Sequence, residues 1–210
     1  MANPGFLTFD QLLDEALSNP AAEAELARRY QRDAAILVVD FTSMVHRTEH
    51  EGIVYALALA RAAENHMKHA VLQHDGEVVK QVADSFFAAF ATPAQALAAA
   101  LDGIAAMRDF NAPRTGTLDD GQRNDPIYPC VGLGYGPSLI IPGENLFGDE
   151  VNRAFVLGED TARANEVLCS PAFLAALGTL PSGLGAHVAP ADRQEAAGFP
   201  FHVVRDFREG

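Results

Sequence analysis

Two aspartates in this chain stand where a carboxylate must either be used or be neutralised. Asp40 closes the run Ala34 to Phe41 (AAILVVDF), an apolar, β-branched stretch with one charge, which predicts a buried strand that delivers the carboxylate at its C-terminal end. Asp84 lies between two further β runs, Glu77 to Ala83 and Ser85 to Thr92, close enough in sequence to form a hairpin with the aspartate at its turn. Two carboxylates brought together at strand ends make a ligand set for a pair of magnesium ions, hard cations that prefer oxygen. A plainer reading has Asp40 capping the segment that follows and Asp84 serving only as a turn residue.

The elements that must position them follow from periodicity. Thr8 is a plausible N-cap before Phe9, Leu12, Leu13 and Leu17, and Asn19-Pro20 breaks to a second helical stretch ending at Tyr30, so residues 1–30 read as a helical extension. After the first strand, apolar residues from Gly52 to His74 recur at helical spacing, and Asp75-Gly76 marks a turn before the hairpin. Pro93 to Phe110 predicts a second covering helix and Asn111 to Asp125 a polar loop. Tyr128 to Tyr135 and Ser138 to Ile141 read as a strand pair, Gly148 to Ala164 as a helix, Glu166 to Ser170 as a strand and Pro171 to Leu177 as a short helix. Thr179 to Ala197 is loop-like, and Phe199 to Val204 predicts a last strand. A turn too short for a crossover joins the second and third strands, so the sheet is mixed or antiparallel; no G-x-G-x-x-G or Walker pattern appears.

Composition narrows the function classes. In 210 residues, 49% hydrophobic and 20% charged, no segment approaches the roughly 18 unbroken apolar residues of a membrane span. Met1 to Leu7 lacks the pattern of a secretory signal, so no membrane partner and a cytoplasmic location are expected. A formal charge of −13 repels a phosphate backbone, which argues against nucleic acid. Such a chain, if it takes a nucleoside triphosphate, has to offset the added charge locally, most simply with divalent cations. Cys130 and Cys169 lack Cys-x-x-Cys spacing and read as core thiols. The histidines His66, His69 and His74, and the acidic pair Glu159-Asp160 beside Arg163, read as solvated helix faces.

Three ordered segments carry a resemblance: Val38-Val39-Asp40-Phe41-Thr42-Ser43-Met44, then Val79-Lys80-Gln81-Val82-Ala83-Asp84, then Phe147-Gly148-Asp149-Glu150-Val151-Asn152-Arg153-Ala154. In this order and separation they resemble the class III adenylyl and guanylyl cyclases, over about Ala34 to Leu177. The resemblance implies an α+β fold on a ferredoxin-like β-α-β-β-α-β core with a mixed antiparallel sheet, and makes residues 31–210 a cyclase homology domain. It implies that Asp40 and Asp84, with the Phe41 carbonyl, hold two Mg²⁺ or Mn²⁺ ions per site, and that amides from Thr42 and Ser43 onward, at a helix start, receive phosphate oxygens. Lys80 matches the lysine that reads the base and Asn145 the position of its usual aspartate partner; an asparagine keeps an acceptor oxygen for an adenine amino group, which makes ATP the first candidate. Asn152 matches the asparagine that orients the ribose.

The resemblance further implies a homodimer whose sites take the aspartates from one chain and Asn152 from the other. The expected reaction is attack of the ribose 3′-hydroxyl on the α-phosphate of a nucleoside triphosphate, giving a 3′,5′-cyclic nucleotide and pyrophosphate. Two departures stand against it. Ala83 replaces the usual glycine before the second aspartate, and Val156 replaces the arginine expected four residues after Asn152, a transition-state cation whose loss costs on the order of 10³ in rate. The alternative is a cyclase-like domain that binds nucleotide or a partner without turnover.

Overall fold

The computed structural model describes residues 7–115, 125–180, 186–190 and 197–206. Thr8 caps α1 (Phe9–Ala16) in a reciprocal capping box with Gln11, and Asn19 caps α2 (Pro20–Tyr30) with proline in its first turn. The two helices share a small core of Leu12, Ala22 and Leu26.

β1 (Gln31–Phe41) is followed by α3 (Met44–Glu51) and α4 (Ile53–Gln73), which are separated by Gly52 at φ 93°. Then come β2 (Glu77–Val82), β3 (Ser85–Phe90), α5 (Pro93–Asn111), β4 (Pro129–Ile141), β5 (Asn145–Phe147) and α6 (Asp149–Phe155). A π-helical segment (Val156–Thr161), β6 (Val167–Cys169), α7 (Pro171–Leu177), β7 (Ala186–Pro190) and β8 (His202–Asp206) complete the described elements. The strands form one sheet in the order β2-β3-β1-β4-β6-β8-β7, with β5 paired to β4. Pairing is antiparallel except between β4 and β6, and its first four strands with α4 and α5 make the ferredoxin-like core.

Alternation decides what β1 touches. Ala35, Leu37, Val39 and Phe41 join the large core under α4 and α5, while Ala34, Ile36 and Val38 join a second core against Val151 and Ala154 of α6. The strand is therefore buried on both faces, which is why it reads as a continuous apolar run. Asp40 continues the even-numbered set and belongs to the α6 face.

Three sequence expectations are corrected, and a fourth lies largely outside the described residues. The strand pair Tyr128 to Tyr135 and Ser138 to Ile141 is one strand, β4, because β1 pairs along its whole length; Pro137 is exposed opposite Asp33, where its missing N–H costs little. The helix Gly148 to Ala164 is α-helical only to Phe155 and then widens into the π segment, where Ala162 N–H donates to Leu157 O (2.8 Å) and Thr161 Oγ1 to Val156 O (2.9 Å). Thr179 to Ala197 contains β7, which pairs with β8, while 181–185 and 191–196 lie outside the described residues. The expected loop from Asn111 begins with the buried Asn111 amide, which exchanges two hydrogen bonds with Ile127 (2.9 and 3.1 Å); residues 116–124 lie outside the described set.

Candidate functional site

Asp40 and Asp84 meet in one cavity of about 670 Å³ that Ser85, Glu159, Lys80 and Phe155 also line. The short β2–β3 turn brings Asp84 there, and it requires Ala83 to sit at φ 52°, a left-handed conformation that glycine adopts more freely. Asp40 does not cap α3: Ser43 is the N-cap residue, and the Asp40 carboxylate instead accepts the Ser85 hydroxyl (3.1 Å). Burial pushes the Asp40 carboxyl above its usual range, and the neighbouring charges of Asp84 and Asp160 push the same way.

Glu159 is the residue the sequence reading assigned to a solvated face. It is half-buried in this cavity beside Ser85 and held above the usual carboxyl range, by burial first and then by the charges of Asp40, Asp160 and Asp84. Its approach depends on an absent side chain. A Cβ at Gly132, the β4 partner of Val38, would lie 2.0 Å from Ala154 O and 2.5 Å from Gly158 N, so glycine lets the helix backbone press onto the sheet. The π segment then adds its widened turn and delivers Glu159 toward Asp40.

Among the described residues no three His, Cys, Asp or Glu side chains form a ready-made metal cage. The donor set is two carboxylates at strand ends with excess negative charge, and that suits magnesium, which is commonly held by one or two carboxylates together with substrate phosphates. His74, expected to be solvated, is paired with Asp102 at 2.8 Å. Cys130 and Cys169 are buried free thiols, both pushed up to about 12 by burial.

The other expected residues divide into three groups. Lys80 Nζ donates to Asn145 Oδ1 at 3.0 Å, so these two are brought together. Ser43, Met44 and Val45 line the cavity, whereas the Thr42 N–H is committed to Tyr128 O (3.0 Å) and its Oγ1 accepts Tyr128 N–H (3.3 Å). The Thr42 amide is therefore withdrawn from the set expected to face phosphate. Asn152 is exposed on α6 and does not line the cavity of the aspartates, and Val156 opens the π segment.

No protein-family profile matches the sequence, and no curated protein matches it. Solved structures do match, and they give this chain the fold of the class III adenylate and guanylate cyclase catalytic domains. The catalytic core of a rhodopsin-guanylyl cyclase with converted specificity, in complex with ATPαS, superposes with TM-score 0.65 at 18% identity over 84% of this chain and 97% of that one. An adenylate/guanylate cyclase/hydrolase from Silicibacter pomeroyi gives 0.63 at 23% identity over 83% and 95%. The adenylyl cyclase CyaB from P. aeruginosa gives 0.64 at 17% identity over 85% and 96%.

Proposed function

We propose that this chain is a nucleotidyl cyclase that converts a nucleoside triphosphate to a 3′,5′-cyclic nucleotide and pyrophosphate. The observation that carries this reading is the meeting of Asp40 and Asp84 in one cavity of a cyclase-type fold, with excess negative charge around them. Asp40, Asp84 and the Phe41 carbonyl are the proposed holders of two Mg²⁺ or Mn²⁺ ions. When bound, such ions favour ionisation of the ribose 3′-hydroxyl and offset the charge of the triphosphate. The chain's own part is to hold the two carboxylates side by side at the cavity, Ser85 fixing Asp40 by a hydrogen bond. Lys80 and Asn145 are the proposed contacts to the base, and Asn152 orients the ribose.

Asn152 lies outside the carboxylate cavity of its own chain, which supports a site shared between two copies. Beside that cavity Val45, Ile53, Val54 and Leu57 are all more than half exposed, a contiguous apolar surface at the α3–α4 junction suited to burial against a second chain. A proposed homodimer with two equivalent sites joins these observations. Val156 in place of a cationic side chain favours slow turnover, and in the limit a domain that binds nucleotide without reacting it.

The test is product analysis with purified protein, Mg²⁺ or Mn²⁺, and each of ATP, GTP, CTP and UTP, beside an Asp40→Ala/Asp84→Ala double variant. A cyclic nucleotide formed by the wild type and absent with the variant is the expected result. Metal-dependent nucleotide binding with no product from any of the four assigns the chain to the binding reading instead.

A further inference from the structure

The hydrogen bonds at Asn145 differ from what an aspartate there would make. Its Oδ1 accepts two, from Lys80 Nζ at 3.0 Å and from the Leu146 backbone N–H at 3.0 Å. A carbonyl oxygen has two lone pairs, so this acceptor is full. Turning the amide over would set Nδ2 against an ammonium and an N–H, donor against donor, and the two neighbours therefore fix its orientation. Asn145 adjoins the cavity through Lys80, which lines it, and the group it has left to meet a ligand is the Nδ2 amide N–H₂, beside the remaining Lys80 protons. Two adjacent donors want an edge that accepts.

A stacking surface adjoins them. Phe87 is the cross-strand partner of Lys80, and its ring lies nearly parallel to that of Phe155, with centroids 6.0 Å apart and an interplanar angle of 12°. Phe155 lines the cavity with Lys80 and is 38% exposed, so part of its ring is available to a planar base. The exposed aromatic and the donor pair together describe a heteroaromatic ring with a carbonyl at its edge.

Resting on the nucleotide reading above, we infer that the base subsite selects an oxo nucleobase, guanine or uracil, stacked on Phe155 with its carbonyl oxygen accepting from Lys80 and Asn145. At that edge the 6-amino group of adenine or the 4-amino group of cytosine sets N–H₂ against the Asn145 N–H₂ and leaves a donor without a partner, whereas the 6-oxo group of guanine or the 4-oxo group of uracil accepts. This reverses the preference for ATP that an acceptor oxygen at Asn145 would give.

The experiment compares the α,β-methylene analogues of inosine and adenosine triphosphate, which resist attack at that bond and differ at the 6-position edge, by calorimetric titration with Mg²⁺ present. The 6-oxo analogue is expected to bind about 10- to 100-fold more tightly, the range of a good two-point base contact. Asn145→Asp, which restores a free acceptor, shrinks or inverts that ratio. Phe155→Ala weakens both analogues by about tenfold or more and leaves inorganic tripolyphosphate unchanged, with the oligomeric state followed by sedimentation. Equal or tighter binding of the 6-amino analogue by the wild type overturns the inference alone. A Phe155→Ala protein that loses self-association but binds both analogues as before overturns the stacking role. Failure of the folded wild type to bind either analogue overturns the nucleotide reading and this inference with it.

Discussion

Two carboxylate clusters flank the β2–β3 hairpin, and they are treated in opposite ways. Glu64 of α4 is 1% exposed, and its Oε2 collects Arg61 (2.9 Å), Lys68 (3.0 Å) and Gln81 Nε2 (2.7 Å). Its charge is balanced within the chain, and the cluster ties α4 to β2. Asp40 accepts the Ser85 hydroxyl, shares its cavity with Asp84 and Glu159, and feels the charge of Asp160 from outside that lining. Lys80, the cation lining that cavity, is engaged with Asn145. A fold that gives one buried carboxylate two cationic partners and leaves the next group in mutual repulsion is the arrangement the proposed divalent-cation site requires.

The comparison breaks most readily by substitution at its two centres. Glu64→Ala should lower the unfolding free energy by about 1–3 kcal/mol, since it strips the partner from Lys68, Arg61 and Gln81; denaturant titration measures it. Asp40→Asn should do the reverse in metal-free protein, raising stability by about 0.5–2 kcal/mol, because it removes a desolvated charge from among like charges. A loss of stability at both positions would erase the distinction.

The pH dependence sharpens the same contrast. Asp40 and Glu159 are held above the usual carboxyl range, so the folded chain binds more protons there than the unfolded one. Their stabilising contribution is complete below the ordinary carboxylate range and is lost as pH rises through the raised values. Metal-free protein should therefore lose stability from about pH 4 toward neutrality, with a shallower slope in Asp40→Asn, as followed by urea midpoints in a pH series. Glu159→Gln should remove part of that slope and weaken divalent-cation binding severalfold, since it takes away one of the neighbouring charges.

The smallest expected effect lies at the turn between the clusters. Ala83 occupies a left-handed backbone conformation, and Ala83→Gly should stabilise the chain by about 0.5–1 kcal/mol, visible as a small rise in thermal midpoint.

Much of this site was legible before the fold. Asp40 and Asp84 were marked by apolar runs ending in a charge, and Lys80 with its partner Asn145 by their place around ordered motifs, whereas Asn152, marked in the same way, lies outside the cavity. Glu159 was hidden because the reading extended one 3.6-residue period through 148–164, and the π segment breaks that period after Phe155. The signal that could have found it is Gly158 just before Glu159, together with the glycines of β4 at 132, 134 and 136, which mark a backbone pressed closely onto the sheet. Pro137 misled in the opposite direction: read locally it ends a strand, but its position opposite the exposed start of β1 lets the long pairing override it. The withdrawal of the Thr42 amide depends on Tyr128, 86 residues away, and no local pattern carries that information.

The central claim is that the Asp40 cluster is left unbalanced in order to hold divalent cations. Calorimetric titration of Mn²⁺ into metal-free protein at neutral pH, in wild type, Asp40→Asn and Glu64→Gln, tests it most directly. Saturable binding in the wild type and in Glu64→Gln, lost in Asp40→Asn, is the predicted result; no binding by the wild type, or undiminished binding by Asp40→Asn, contradicts it.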